Sequence, residues 1–252
     1  MSVIQRLAVD KASEIAEYIT QDKMHGFSNK KRRVAMKRTI LAALMVFITL
    51  ALTGCGDGSS SPPPTFVTQI SSDPVFDGDI VQYFTTGAFT VTRGMSPTVQ
   101  SVFAGVDPVT GDEFRAFLNF PLATVPTNAV IVSATLDIVI KNIQPLVGTI
   151  PIRIELVSFQ PPTLLASDFD RAILLPLAFT AITPPISPAD VGNHVLLDVT
   201  QLMAEAQFRG LANFQIRILE DFGFVSPGVI EINDTTGANR DLLAPLLRVT
   251  YF

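Results

Sequence analysis

Asp77 and Asp79 form a D-x-D pair beside a candidate turn, and Asn233-Asp234 falls in another. Carboxylate and amide oxygens of this kind suit calcium rather than zinc, so Asp77, Asp79 and Asp234 are the candidate metal ligands and calcium the one candidate cofactor. Ordinary acidic turns give the same pattern. Arg115, Arg153, Arg217 and Arg248 alternate with apolar neighbours. On strands they would share a face and could line a groove for an acidic polysaccharide. Tyr83 is the candidate platform for a sugar ring, because pyranose faces stack on flat aromatics. Beyond residue 38 there is no tryptophan, and the only tyrosines are Tyr83 and Tyr251. Tyr251 closes the last candidate strand and reads as structural. The alternative for the arginines is a solvated outer face paired with Asp137, Glu155 and Glu231.

Catalytic chemistry finds less. His194 is the only histidine after residue 38, so neither a two-histidine zinc site nor a histidine relay can be assembled there. It reads as the start of a strand. Asp168 and Asp170 are a carboxylate pair in sequence, but nearness along the chain does not set the separation that glycoside hydrolysis requires. They read as the bounds of a loop. The chain has no G-x-S-x-G elbow, phosphate loop or dinucleotide fingerprint. A non-enzymatic role is expected.

Charge divides the chain. Residues 1–38 hold 9 of the 18 Lys/Arg and 4 of the 23 Asp/Glu, which leaves 9 − 19 = −10 for the remainder. Lys141 is the only lysine there, so a nucleic-acid partner is excluded on charge grounds.

Basic residues Lys30 to Arg33 and Lys37-Arg38 precede an apolar run from Ile40 to Leu52, which Thr53-Gly54-Cys55 ends. The run is shorter than the roughly 20 residues of a comfortable membrane span. Positive charge followed by a short apolar segment and small residues is the pattern of an export signal. Leu52-Thr53-Gly54-Cys55 resembles the processing site of bacterial lipoproteins, which implies that Cys55, the only cysteine, is lipidated and becomes the first mature residue. That implies anchoring to a membrane through acyl chains. Gly56, where an aspartate would retain the protein at the inner membrane, implies the outer membrane in a diderm. Residues 36–54 are then the signal peptide, with Met36 a natural start. Residues 1–35 are expected to be an upstream extension from an over-extended gene start, with a helix conceivable over Ile4 to Ile19. Residues 55–65, rich in Gly, Ser and Pro, read as a disordered tether.

The 187 residues 66–252 suffice for one domain, and their hydrophobic period is two. In Glu113 to Phe120, Phe114, Ala116, Leu118 and Phe120 take one face while Arg115, Phe117 and Asn119 look the other way. In Ala129 to Ile143, Ala134, Leu136, Ile138 and Ile140 face inward. Further strands are expected at Ile152 to Phe159, His194 to Val199, Phe214 to Leu219, Val229 to Asn233 and Leu246 to Phe252, with weaker ones at Phe89 to Thr92 and Thr98 to Ala104. One short helix follows Thr200, its expected cap, with Leu202, Met203, Ala206 and then Phe208 inward, and Gly210 ending it. These elements predict an all-β fold: an antiparallel, jelly-roll-like β-sandwich with one short helix.

Their order resembles the DNRLRE-type domain and the related family 96 carbohydrate-binding modules. Asp77-Gly78-Asp79-Ile80 is similar to the opening strand and Arg115 to Phe120 to the "R-x-x-L-x-F" strand. Val125, Pro126, Ala129, Ile131, Ala134 and Leu136 match "I-P-x-x-A-x-I-x-x-A-x-L", with Val125 in the first place. Leu197-Asp198-Val199-Thr200 with Met203 resembles "D-V-T-x-x-V", and Ala244 to Tyr251 the closing "P-x-L-x-V-x-Y" strand. The hexapeptide that names the family is absent, and Leu164 to Pro185 is aliphatic where the family is richer in tryptophan. The resemblance implies a cell-envelope module that binds surface or matrix polysaccharide or mediates adhesion. The rivals are a structural or protein-interaction module of an envelope assembly and a polysaccharide-cleaving enzyme.

Overall fold

A computed structural model describes residues 63–93, 100–145, 148–159, 163–221 and 227–252. Cys55, the signal segment, the upstream extension and most of the tether lie outside the described residues. In chain order the strands are β1 (Phe66–Ser71), β2 (Gly78–Gln82), β3 (Phe89–Arg93), β4 (Ser101–Val106), β5 (Glu113–Pro121), β6 (Ile131–Gln144), β7 (Ile152–Val157), β8 (Ala178–Ala181), β9 (His194–Asp198), β10 (Asn213–Glu220), β11 (Val229–Asn233) and β12 (Leu246–Tyr251). Helix α1 (Thr200–Phe208) lies between β9 and β10, and a single-turn helix α2 (Arg240–Leu243) precedes β12. The sequence reading had not anticipated β1, β8 and α2.

The fold is all-β and sandwich-like: one curled sheet in which the strand pairings are antiparallel. Strand β6, 14 residues long, makes the curl. Its first part pairs with β12 on one edge and β9 on the other. Its end pairs with β11, while Ile140 still bonds Gly192 and Asn193 on the β9 side. Thus β11 and β12 follow one another along a single edge. Glu231 pairs with Asn142 and Ile232 with Ile140, so Lys141 is the extra residue of a bulge. A bulge bends its strand, and this one separates the β1-β12-β6-β9 part from β11, β4 and the β3-β2-β5-β10-β7-β8 part. It also switches parity, so that Ile143 joins Ala134, Leu136, Ile138 and Ile140 in the core.

Helix α1 closes one end with Leu202, Met203 and Ala206 buried, and Gly210 at φ +65° follows it, as the sequence suggests. Two details differ. Thr200 does not cap: its N–H donates to Asp198 Oδ1 at 2.9 Å, and its hydroxyl accepts the Ala134 N–H at 2.9 Å, tying the helix to β6. Phe208 is exposed, because it lies on the helix face away from Leu202 and Ala206.

A strap, residues 163–177, crosses the outer face of β2, β5, β10 and β7. Under it Ile80, Phe117, Val157, Phe159, Leu164 and Phe169 form a second, smaller core. Phe117 is therefore buried although the period of β5 points it away from the main core. The aliphatic character of the strap is what allows both faces of this sheet to be covered.

Candidate ligand cleft

The second core accounts for two of the four arginines. Arg217 is fully buried, with Nε and Nη2 donating to Glu155 Oε2 at 3.0 and 2.6 Å, Nη1 to the Asp168 carbonyl at 2.9 Å and Nη2 to the Leu174 carbonyl at 3.1 Å. Arg115, also buried, donates from Nε to Glu113 Oε1 at 2.6 Å and from Nη1 to the Phe169 carbonyl, and its guanidinium stacks 3.9 Å from the Phe169 ring centre. Neither Arg217 nor Arg115 can line a ligand groove, nor do they form a solvated outer face. They hold the strap to the sheet by donating to its Asp168, Phe169 and Leu174 carbonyls. Arg153 of β7 is half-buried, paired with Asp221 at 2.6 Å and stacked on Phe179 at 4.7 Å. Its charge is already neutralised. Only Arg248 is exposed, in register with Gln69.

The calcium set also separates. Asp77 and Asp234 meet in the interior, where Asp77 Oδ1 accepts the Asn119 N–H at 2.8 Å. Burial, and then the neighbouring Asp234, push the Asp77 carboxyl well above the usual carboxylate range, and burial raises Asp234 to about 6. The Oδ2 atoms of both meet no donor. Arg240 Nη1 stands 3.4 Å from Asp234 Oδ1 and 3.0 Å from the Thr235 carbonyl, while Nη2 bonds the Ser72 carbonyl. The Arg240 guanidinium thus sets a positive charge beside Asp234. The three expected ligands are therefore split between two places in the fold. Asp79 faces elsewhere, and among the described residues no three acidic, histidine or cysteine groups converge.

Asp79 instead opens onto a cleft of about 560 Å3, together with Tyr83. Strand β4 pairs with β5 only at Gly105 and Val106, then leaves it to follow β11. The cleft occupies the fork. Alternation along β2 places Asp79, Val81 and Tyr83 on its wall, and β3 adds Thr90 and Thr92 across the register. The rings of Phe103 and Phe114, 5.9 Å apart, are its aromatic part. At the far side Glu231 Oε1 accepts from Ser101 Oγ at 2.7 Å and Lys141 Nζ at 2.8 Å, and Lys141 also donates to Ser101 Oγ at 2.9 Å. Asp79 Oδ2 accepts the Phe103 N–H at 3.2 Å and so bridges the fork. Burial raises its carboxyl to about 7, outweighing hydrogen bonds from Phe103 and Thr92. Asp79 is therefore poised between donor and acceptor near neutral pH.

Of the expected site residues, the fold gathers Tyr83 and Asp79 in the cleft and no others. Lys141, Ser101, Phe103, Phe114 and Glu231 were missed as members. One signal was available: Lys141 is the only lysine after residue 38, standing in a strand rich in β-branched residues. His194 begins β9 as expected, and its Nδ1 lies 2.8 Å from Asp137 Oδ1. Asp168 and Asp170 bound turns, Asp168 Oδ2 accepting the Leu165 N–H at 2.8 Å and Asp170 Oδ1 the Ala172 N–H at 2.7 Å. Comparison of the chain with protein-family models and with curated proteins finds no match.

Proposed function

We propose that the chain is a lipid-anchored envelope module of the DNRLRE type whose sandwich binds polysaccharide, without cleaving it, in the cleft between β2, β3 and β4. The observation that carries this reading is the composition of that cleft. Aromatic side chains of Tyr83, Phe103 and Phe114 line it together with Thr90, Thr92, Ser101 and the Lys141–Glu231 pair. Such a mixture suits sugars, which offer apolar ring faces and a rim of hydroxyls. Cys55 supports the anchor, and the tether sets the module off from its membrane.

Two observations bear on the rivals. Asp79 and Glu231 line one cleft with Tyr83, the arrangement a polysaccharide-cleaving enzyme would use. Exposed apolar side chains at the start of β1 suit an interaction module. Binding of the lipidated protein to neutral and anionic polysaccharides, with chain cleavage assayed in the same mixtures, separates the three. Saturable binding without cleavage is expected, indifferent to chelator, and Tyr83→Ala and Lys141→Ala should each weaken it about tenfold, the worth of roughly 1.4 kcal/mol. Binding unchanged by both substitutions, or absent with every polymer, overturns the reading. Cleavage lost in Asp79→Asn establishes the enzyme instead.

A further inference from the structure

Charge in the cleft can be counted. The charged side chains that line it are Asp79 from β2, Lys141 from β6 and Glu231 from β11, while β3, β4 and β5 bring only uncharged residues. Residues 94–99, between β3 and β4 in sequence and outside the described residues, contain no charged side chain either.

Lys141 is the one cation of that lining, and it is already engaged. An ammonium has three N–H donors. One meets Glu231 Oε1 at 2.8 Å and another Ser101 Oγ at 2.9 Å, and Ser101 Oγ donates to the same Glu231 oxygen at 2.7 Å. The Glu231 side chain is only 17% exposed, so the pair is partly shielded from salt. Glu231 therefore cancels the positive charge where a ligand would meet it.

Asp79 has no such partner. Cross-strand neighbours share a face, and Asp79 stands opposite Ala116, a residue of the main core. Phe103 and Ser101, by contrast, alternate with the core residues Val102 and Ala104 and point away from that core. The inner face of β2 thus meets the outer face of β4, and the Asp79 carboxyl lies between the two layers, 3% exposed yet bordering the cleft. Its surroundings offer the Phe103 N–H and the Thr92 hydroxyl but no cation. With Asp79 ionised the lining carries one negative charge, with Asp79 protonated none, and in neither state is it positive.

We propose that the cleft takes an uncharged glycan and rejects polyuronates, with Asp79 and Glu231 as the residues that discriminate. A sugar hydroxyl can donate to a carboxylate without bringing charge, and the third N–H of Lys141 is left for a hydroxyl oxygen. A uronate carboxylate meets no free cation and adds a like charge to a site poor in water, which is how an interface suppresses a wrong partner. The inference rests on the polysaccharide cleft proposed above. It reverses the expectation of an acidic polymer, which rested on arginines of which Arg115 and Arg217 lie under the strap.

The test uses the full lipidated protein in detergent micelles and titrates it calorimetrically with hexasaccharides of glucose, mannose and galactose, each beside its C6-oxidised uronate counterpart. At pH 8 and about 20 mM salt, where screening is weak, the uronate member of a bound pair is expected to bind at least tenfold more weakly. Asp79→Asn keeps an acceptor for the Phe103 N–H and removes the charge, and Glu231→Gln releases Lys141. Each should raise uronate affinity at least threefold, a gain that damage to the fold does not produce. Burial raises the Asp79 carboxyl to about 7, so the wild-type ratio should shrink at pH 5, and that comparison carries the test if a variant fails to fold. Uronates that bind as tightly as their uncharged counterparts overturn the selectivity and leave the polysaccharide reading standing. A ratio that pH and both substitutions leave unchanged overturns the role of Asp79 and Glu231. No binding by either member of any pair overturns the selectivity and the polysaccharide reading together.

Discussion

Glu155 carries two guanidinium groups in a site with no water-facing surface of its own. Arg217 occupies one carboxylate oxygen and Arg171 Nη2, reaching in from the rim, lies 2.6 Å from the other. A buried pair adds little against an apolar replacement, but removing one partner strands a charge at a cost of about 3–5 kcal/mol. Glu155→Gln is therefore expected to destabilise the domain by that amount in urea denaturation. Adding Arg217→Met should restore part of the loss, since it removes the stranded charge but leaves the Asp168 and Leu174 carbonyls without their donors. If the double variant were as unstable as the sum of the two single ones, Arg217 would owe its importance to the strap carbonyls of Asp168 and Leu174 instead.

The fork that makes the cleft is an element-scale feature, and Gly105 is its hinge. Its φ of +122° is open to glycine alone, and a Cβ there would run into the Gly228 carbonyl. Here β4 ends its two-residue pairing with β5 while remaining paired to β11. Gly105→Ala should cost about 1–3 kcal/mol, the usual range for backbone strain. Hydrogen exchange should show the loss concentrated in β4 and in the Phe103 N–H that Asp79 accepts. Loss spread evenly over the sheet would mean that the fork is not a separate unit. The strap is a second such element. Its place was illegible in the sequence because period two shows which residues share a strand face and not whether a distant segment covers that face.

Across the whole molecule, buried acids act in one direction. Burial raises Asp79 and Glu220 to about 7, Asp234 to about 6 and Asp77 well above its usual range. Native protein thus holds protons that the unfolded chain, with ordinary carboxyls near 4, has already released. Where the native state binds more protons, stability falls as pH rises. The contribution of these groups is complete below about pH 4 and is lost as pH climbs through 6 to 7. Thermal unfolding should accordingly occur at a higher temperature at pH 5 than at pH 8, and Asp79→Asn should flatten that slope. General repulsion in an acidic domain has the same sign, but 0.5 M salt would abolish it. A slope that salt removes and Asp79→Asn leaves unchanged would refute the role of the buried acids.

The strand pattern, the acidic balance, the helix after Asp198 and the inward face of β6 were all legible from residue order, because each depends on local period or on a sum over side chains. What Asp77, Asp79, Arg115, Arg217 and Lys141 do was not. Asp77 and Asp79 differ by two positions yet serve different sites, because Asn233-Asp234 and β4 approach them from far along the chain. Arg217 looked like a ligand-facing residue until the strap, some forty residues earlier, was laid across it. A charged side chain on a strand is defined by whatever covers its face, and only the tertiary structure brings that cover into place.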